Sequence, residues 1–297
     1  MMDIRPVWID IDAGMDDIFS LMLALKLDEI DIKGISVVGS SREALEEGYR
    51  DVRNVLAYAG RKDIRVYKGA CKPLVQEGSK DPEDCLGGLD LPDSDAEAED
   101  GTAWNALCDA ARKLDRITVV TLGPLTNIAT MIVLHPDVVD HIDEIVMMGG
   151  CIDGGNVTPC AEYNVYTDPE AAECIFKSGV KVDMFGLDVT RKTLLDEDDL
   201  ESLNRLESRE GKLLAGLARK HGLPMYLHDC CPVMYLAYPD VFTGRECGIY
   251  VETQGTITNG KTLADLYTDY KYEDRHCVAF IDMDRQAFMK HLLEKIG

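Results

Sequence analysis

Four aspartates crowd one short stretch near the start of the chain, Asp10-Ile11-Asp12-Ala13-Gly14-Met15-Asp16-Asp17. Residues two apart on a β-strand point to the same face, so a strand ending here presents Asp10 and Asp12 together. Gly14 permits a tight turn, which places Asp16 and Asp17 in the first turn of a following helix. Acids in that position are ordinary, since each stabilises the helix dipole by about 0.3–1 kcal/mol. That explanation covers Asp16 and Asp17 but not two acids at the end of an apolar strand. Four carboxylates converging within one turn repel one another, and a hard divalent cation relieves the repulsion.

Two other groups carry polar chemistry. Met147-Met148-Gly149-Gly150, Gly154-Gly155-Asn156 and Ala161-Glu162-Tyr163-Asn164 read as a strand that ends in glycines and releases a loop. Amides donate and accept while a carboxylate accepts, so Asn156, Glu162 and Asn164 suit a polyhydroxyl ligand; the competing use of such residues is to cap turns. Leu227-His228-Asp229 precedes a helix opening at Cys231-Pro232. Taken locally, Asp229 is a helix N-cap and His228 a structural residue.

The elements that must position these groups alternate along the chain, which predicts an α/β fold with an open, mostly parallel sheet flanked by helices. Strands are expected at Val7–Asp12, Ile32–Val38, Ile117–Leu122, Asp143–Met148 and Val180–Leu187. Helices are expected at Met15–Leu27, Arg42–Ala59, from Pro124, from Asp168-Pro169, over most of Asp196–Lys220 and at Arg285–Lys295. Ligands of such sheets bind beyond the carboxyl ends of the strands, where the acids fall. Ile249–Phe280 alternates around Asn259-Gly260, a hairpin signal that predicts a small β-hairpin region near the C-terminus. The acidic, Gly- and Pro-containing stretch 76–101 reads as a solvated loop, with a lid over a ligand as the other reading. No repeat or linker divides the chain, so 1–297 is expected to be one domain.

Composition narrows the partners. With 54 acidic against 31 basic residues and a formal net charge of -23, the surface repels phosphate backbones, which argues against nucleic acid. No run of 18 apolar residues occurs, so no membrane span is expected, and the acid-rich N-terminus does not read as a signal peptide. The 10 cysteines are scattered, with no CxxC pair and several inside apolar helical patterns, the usage of a reducing cytoplasm.

Together these pieces resemble the inosine-uridine nucleoside hydrolase family. DIDAGMDD (10–17) is similar to its DxDxGxDD signature, TLGPLTNIA (121–129) resembles its second motif, and MMGGCIDGGNVTPCAEYNVYTDPEAA (147–172) resembles the family almost throughout. Leu227-His228-Asp229 matches its late His-Asp pair, and all four pieces stand in the family's order over nearly the whole chain. The resemblance implies a Rossmann-like core and calcium-dependent hydrolysis of the N-glycosidic bond of ribonucleosides to ribose and free base. Asp12 is then a Ca2+ ligand and the base that activates a calcium-bound water. Asp17, Asp229 and the main-chain carbonyl of Leu122 complete the metal set, with Asp10 in support. Asp16 and Asn164 bond the ribose diol, Asn156, Glu162 and Met148 hold the 5′-hydroxymethyl end, and His228 protonates the leaving base. A homo-oligomer, dimer or tetramer, is also implied.

Departures from the pattern are specific. Ser40 stands where the family usually has an Asn near the nucleophilic water, and its shorter reach touches water positioning. Ala13 replaces a common Pro, with a small expected loss of turn rigidity. Cys85-Leu86-Gly87-Gly88 stands near the place of a usual His-Gly pair, so base recognition there does not carry over; Tyr226 and His221 lie in the right part of the chain to stack on a base. One alternative is a family member that binds a nucleoside or ribose without turnover. The other is a metal-dependent phosphatase similar to haloacid-dehalogenase-like enzymes, which also open with DxD. Gly14-Met15-Asp16-Asp17 follows here instead of the Thr such enzymes need, and no lysine stands in a matching context.

Overall fold

β1 (Arg5–Ile11) is buried from Val7 to Ile11, the mark of a strand covered on both faces; its one acid is Asp10. The computed structural model describes residues 4–78, 86, 89, 91–266 and 276–297. The other strands are β2 (Ile30–Val37), β3 (Val66–Lys68), β4 (Ile117–Thr121), β5 (Ile142–Met148), β6 (Val182–Phe185), β7 (Phe242–Cys247), β8 (Ile249–Val251), β9 (Thr262–Ala264) and β10 (Cys277–Met283). Eight of them form one sheet in the order β3-β2-β1-β4-β5-β6-β10-β7. Every pairing is parallel except that of β10 with the edge strand β7. The order reverses between β1 and β4, the switch point at which doubly wound sheets open a crevice.

Helices cover both faces. They are α1 (Met15–Ala24), α2 (Arg42–Tyr58), α3 (Ala103–Leu114), α4 (Thr126–Leu134), α5 (Tyr163–Thr167), α6 (Pro169–Phe176), α7 (Leu187–Thr190), α8 (Glu197–Asn204), α9 (Arg209–His221), α10 (Cys230–Tyr235) and α11 (Arg285–Ile296). One core joins Val7, Ile9 and Ile11 to α1, α2, α9, α10 and α11. The other joins Trp8, Val119, Ile145 and Met184 to α3, α4 and α6. Strand alternation thus puts Asp10 on the Trp8 face.

The expected α/β fold with its mostly parallel sheet is the fold observed, and β8–β9 is the expected C-terminal hairpin. Its connection runs 252–261, with the Gly260 N–H donating to the Glu252 carbonyl at 2.7 Å. The last strand of the expected alternating stretch, β10, returns instead to the main sheet, because alternation marks a strand without naming its partner. The stretch 196–220 is two helices, each with its own side-chain cap from Asp196 and Ser208. Part of 76–101 lies outside the described residues. Its acidic end is strapped to α2 and the approach to β3: Ser94 N–H donates to Asn54 at 2.7 Å, Arg53 donates to the Ala96 carbonyl, and Lys62 pairs with Asp95.

Gly34 lies opposite Trp8 in the β1–β2 register, and a Cβ there meets the indole ring at 2.4 Å. Gly34→Ala is therefore expected to destabilise the protein by about 1–3 kcal/mol through overpacking, read as a lower urea midpoint with an unchanged m-value.

Candidate active site

The acids gather where β1 and β4 end, at the switch point. Asp10 is fully buried and faces neutral partners. Ser36 Oγ and Asn127 Nδ2 both donate to its Oδ1, the latter at 2.8 Å. Trp8 Nε1 donates to Ser36 Oγ at 2.8 Å, and the Ala70 N–H donates to Asn127 Oδ1 at 2.7 Å. Burial outweighs these hydrogen bonds and pushes the Asp10 carboxyl up to about 7.

Beyond the strand the chain turns through Ala13, whose φ is 62°. This left-handed conformation is one that a proline ring, fixed near -65°, cannot adopt. The replacement of the common Pro therefore alters the shape of the turn and not only its rigidity. Room for the Ala13 methyl comes from Gly48 of α2, where a Cβ would sit 2.9 Å from it. Asp12 is backed by Gly123, at which a Cβ would meet the Asp12 Cβ at 2.8 Å.

Asp17, at the third position of α1, accepts from the Gly14 N–H through Oδ2 at 2.7 Å. Its Oδ1 is buried without a donor, and the Asp12 carboxylate lies in contact with the same side chain. Asp229 precedes α10 but makes no side-chain cap bond, so the local N-cap reading of its carboxylate does not hold. One oxygen from each of Asp16, Asp17 and Asp229 lies within 4.8 Å of the others. Burial first, and then the charges of Asp12 and Asp16, hold the Asp17 carboxyl well above its ordinary range. Asp229 is raised in the same way by burial and then by Asp16, Asp17 and Asp12. Carboxylates so placed need a proton or a cation between them. The donors are all oxygen, which fits a hard cation such as Ca2+ or Mg2+ and no soft one.

Leu122 precedes the Gly123 that packs against Asp12, and Asn164 Nδ2 donates to its carbonyl at 2.8 Å and to the Met148 carbonyl at 3.2 Å. Glu162 caps α5: its carboxylate accepts from Gly150, Asn164 and Val165 N–H groups at 2.8, 2.9 and 3.2 Å. Burial still raises its pKa, against those backbone hydrogen bonds. Asn156 Oδ1 accepts from the Tyr163 N–H at 3.0 Å. The turn-capping use of Asn156 and Glu162 is therefore real and also fixes their position. Ser40 lies between β2 and α2, and its carbonyl packs against Gly78.

His228 shares a hydrogen bond between Nδ1 and Thr190 Oγ1 at 2.8 Å. Burial, the largest influence, holds its pKa below the ordinary value, against the charge of Asp16. Tyr226 stacks on its ring at 5.1 Å between centroids and is partly exposed. His221 ends α9 on the surface, with Nδ1 at 2.8 Å from the Gly222 carbonyl. Sequence reasoning left out Ser36 and Thr190, which only the fold brings to the site. Asn127 was visible inside TLGPLTNIA, without a role.

A doubly wound sheet with clustered carboxylates at its switch point defines an α/β protein with a candidate cation site. The model of the inosine-uridine preferring nucleoside hydrolase family matches residues 7–290. Curated relatives include a pyrimidine-specific ribonucleoside hydrolase RihA from Salmonella agona, 36% identical over 98% of each chain. Another of the same name, from Photobacterium profundum, is 34% identical over 99% of each. Among solved structures, a plant nucleoside hydrolase superposes with a TM-score of 0.92 at 28% identity over 99% of each chain. A purine-preferring ribonucleoside hydrolase from Gardnerella vaginalis gives 0.90 at 28% identity over 98% of each. The chain belongs to the inosine-uridine preferring nucleoside hydrolase family. It is an N-glycosidase of the nucleoside hydrolase class.

Mutual repulsion makes the cage a stability cost. In chelator, Asp229→Asn is expected to raise stability by about 1–2 kcal/mol while abolishing divalent-cation binding, measured by thermal melts and titration calorimetry on the same protein.

Proposed function

We propose that the chain hydrolyses ribonucleosides to ribose and free base with Ca2+ held by Asp12, Asp17, Asp229 and the Leu122 carbonyl. The observation that carries this is the buried cage itself: Asp16, Asp17 and Asp229 converge beside Asp12, with the Asp17 Oδ1 lacking a donor. When bound, the cation polarises the attacking water and orients the ribose 2′- and 3′-hydroxyls. Asp12 takes the proton from that water as its oxygen bonds to C1′. Asp10, held by Ser36 and Asn127, keeps the end of β1 in register for Asp12. Asp16 and Asn164 bond the diol, while Met148, Asn156 and Glu162 hold the 5′-hydroxymethyl end. Ser40 borders the water.

As the C1′–N bond breaks, its electron pair goes to the base and positive charge builds on the sugar, which the acids stabilise. His228, its Nδ1 hydrogen-bonded to Thr190 Oγ1, gives the departing base a proton from its imidazolium form and ends as the neutral ring. Tyr226, stacked on that ring, borders the base. Pyrimidine nucleosides come first among the proposed substrates, a reading supported by the names of the relatives at 34–36% identity.

We further propose that residues 1–297 act as one domain, in a homo-oligomer (dimer or tetramer) in the cytoplasm. No helix among the described residues is long and apolar enough to cross a membrane, and the nine described cysteines are free.

The test is reducing-sugar release from uridine, cytidine, inosine and adenosine, with and without chelator. Release from at least one nucleoside is expected, lost on chelation, restored by Ca2+, and reduced by about 10³-fold or more in Asp12→Ala. Tight cation and ribose binding without turnover would instead mark a binding protein, and no cation binding would overturn the proposal.

A further inference from the structure

Residues 149–157 include four glycines and no regular structure, yet they lead into Asn156. Their backbone is held from outside by one turn of chain. Asp188 accepts the N–H groups of Ile152 and Asp153 at 2.7 and 2.9 Å, one on each carboxylate oxygen. Arg191 donates Nη1 to the Gly154 carbonyl at 3.0 Å and Nη2 to the Gly155 carbonyl at 2.6 Å. The backbone of four successive residues, 152–155, is thus gripped by two side chains of opposite charge, each matched to the polarity it meets. The opposite flank is closed by the hairpin: Thr262 Oγ1 accepts from the Cys151 N–H at 2.8 Å, and Lys261 Nζ donates to the Cys151 carbonyl at 3.1 Å.

Between the two gripping residues stands Thr190, the partner of His228. A single turn, 188–191, therefore touches both the loop carrying Asn156 and the histidine on the base side. Glycine-rich backbone costs more to immobilise than any other, so the grip adds to the bonds that Asn156 itself makes with Tyr163 and Ala161.

We propose that Asp188 and Arg191 are positioning residues for the 5′-hydroxymethyl end of the ribose. They act through the backbone of 152–155 on Asn156, and with Thr190 they fix the spacing between that end and the leaving base. This rests on the nucleoside reading given under Proposed function. The grip matters only when a 5′-hydroxyl is there to be held, which separates it from general support of the fold.

The experiment measures kcat/KM on uridine and inosine and on their 5′-deoxy counterparts, for wild type, Arg191→Ala, Arg191→Lys and Asp188→Asn. Amide hydrogen exchange is followed on the same proteins. Arg191→Ala is expected to lose about tenfold or more on the hydroxylated substrates, the scale of one well-placed hydrogen bond. On the 5′-deoxy substrates it stays within about twofold of wild type, as a deleted interaction cannot be lost twice. Arg191→Lys falls between, because an ammonium cannot span two carbonyls as a planar fork does. Exchange speeds up at 152–157 while the sheet amides keep their protection, which also shows that the variants fold. An equal loss on hydroxylated and 5′-deoxy substrates, with wild type active, overturns this proposal alone. Wild type inactive on both nucleosides overturns the functional reading and this proposal with it.

Discussion

Repulsion among buried carboxylates is the constraint on which the rest of this structure depends. At an effective dielectric near 20, two unit charges 4 Å apart cost on the order of 4 kcal/mol, and several such pairs meet at the ends of β1 and β4. A chain tolerates that only if the surrounding fold is rigid enough to hold the acids together and if a proton or cation offsets the charge. Both conditions are visible. The acids gather beside a sheet packed on both faces, and the Asp17 Oδ1 is buried there without a donor.

The neutral network behind the cage answers the first condition. Trp8, Ser36, Asp10, Asn127 and the Ala70 N–H form a continuous hydrogen-bonded chain across β1, β2, α4 and the loop after β3. Asp10 is thereby an acid held by neutral donors, while Asp12, two residues on, turns into the charged cluster. Neighbouring aspartates in one motif have become one structural anchor and one member of the cage. Close glycine packing serves the same end: Gly123 lets β4 approach Asp12, and Gly34 makes room for the indole that orients Ser36.

In the loop after β5, rigidity comes from capping rather than from regular structure. Glu162 and Asn156 spend part of their hydrogen-bonding capacity on backbone N–H groups, which fixes their remaining acceptors and donors in space. The hairpin β8–β9 belongs to this arrangement, since Lys261 and Thr262 reach back to Cys151. A feature that reads as an appendage in sequence is thus a buttress of the loop.

Local physics was enough for much of this. The alternation of apolar runs and helical periodicity implied a parallel α/β sheet. Asp12 and Asp17, five residues apart across a glycine turn, were bound to meet whatever the rest of the chain did. What periodicity could not carry was partnership. A strand pattern does not say which sheet it joins, so the stretch that ends in β10 reads with the hairpin; a helix pattern over most of 196–220 does not say where α8 ends and α9 begins. Asp229 reads locally as an N-cap, and only the packing of α10 against α1 carries its carboxylate to Asp17, more than two hundred residues away in sequence. Ser36 and Thr190 are anonymous in sequence for the same reason. Local propensity depends on near neighbours, whereas a site is decided by which distant residues the closed sheet brings within a few ångströms.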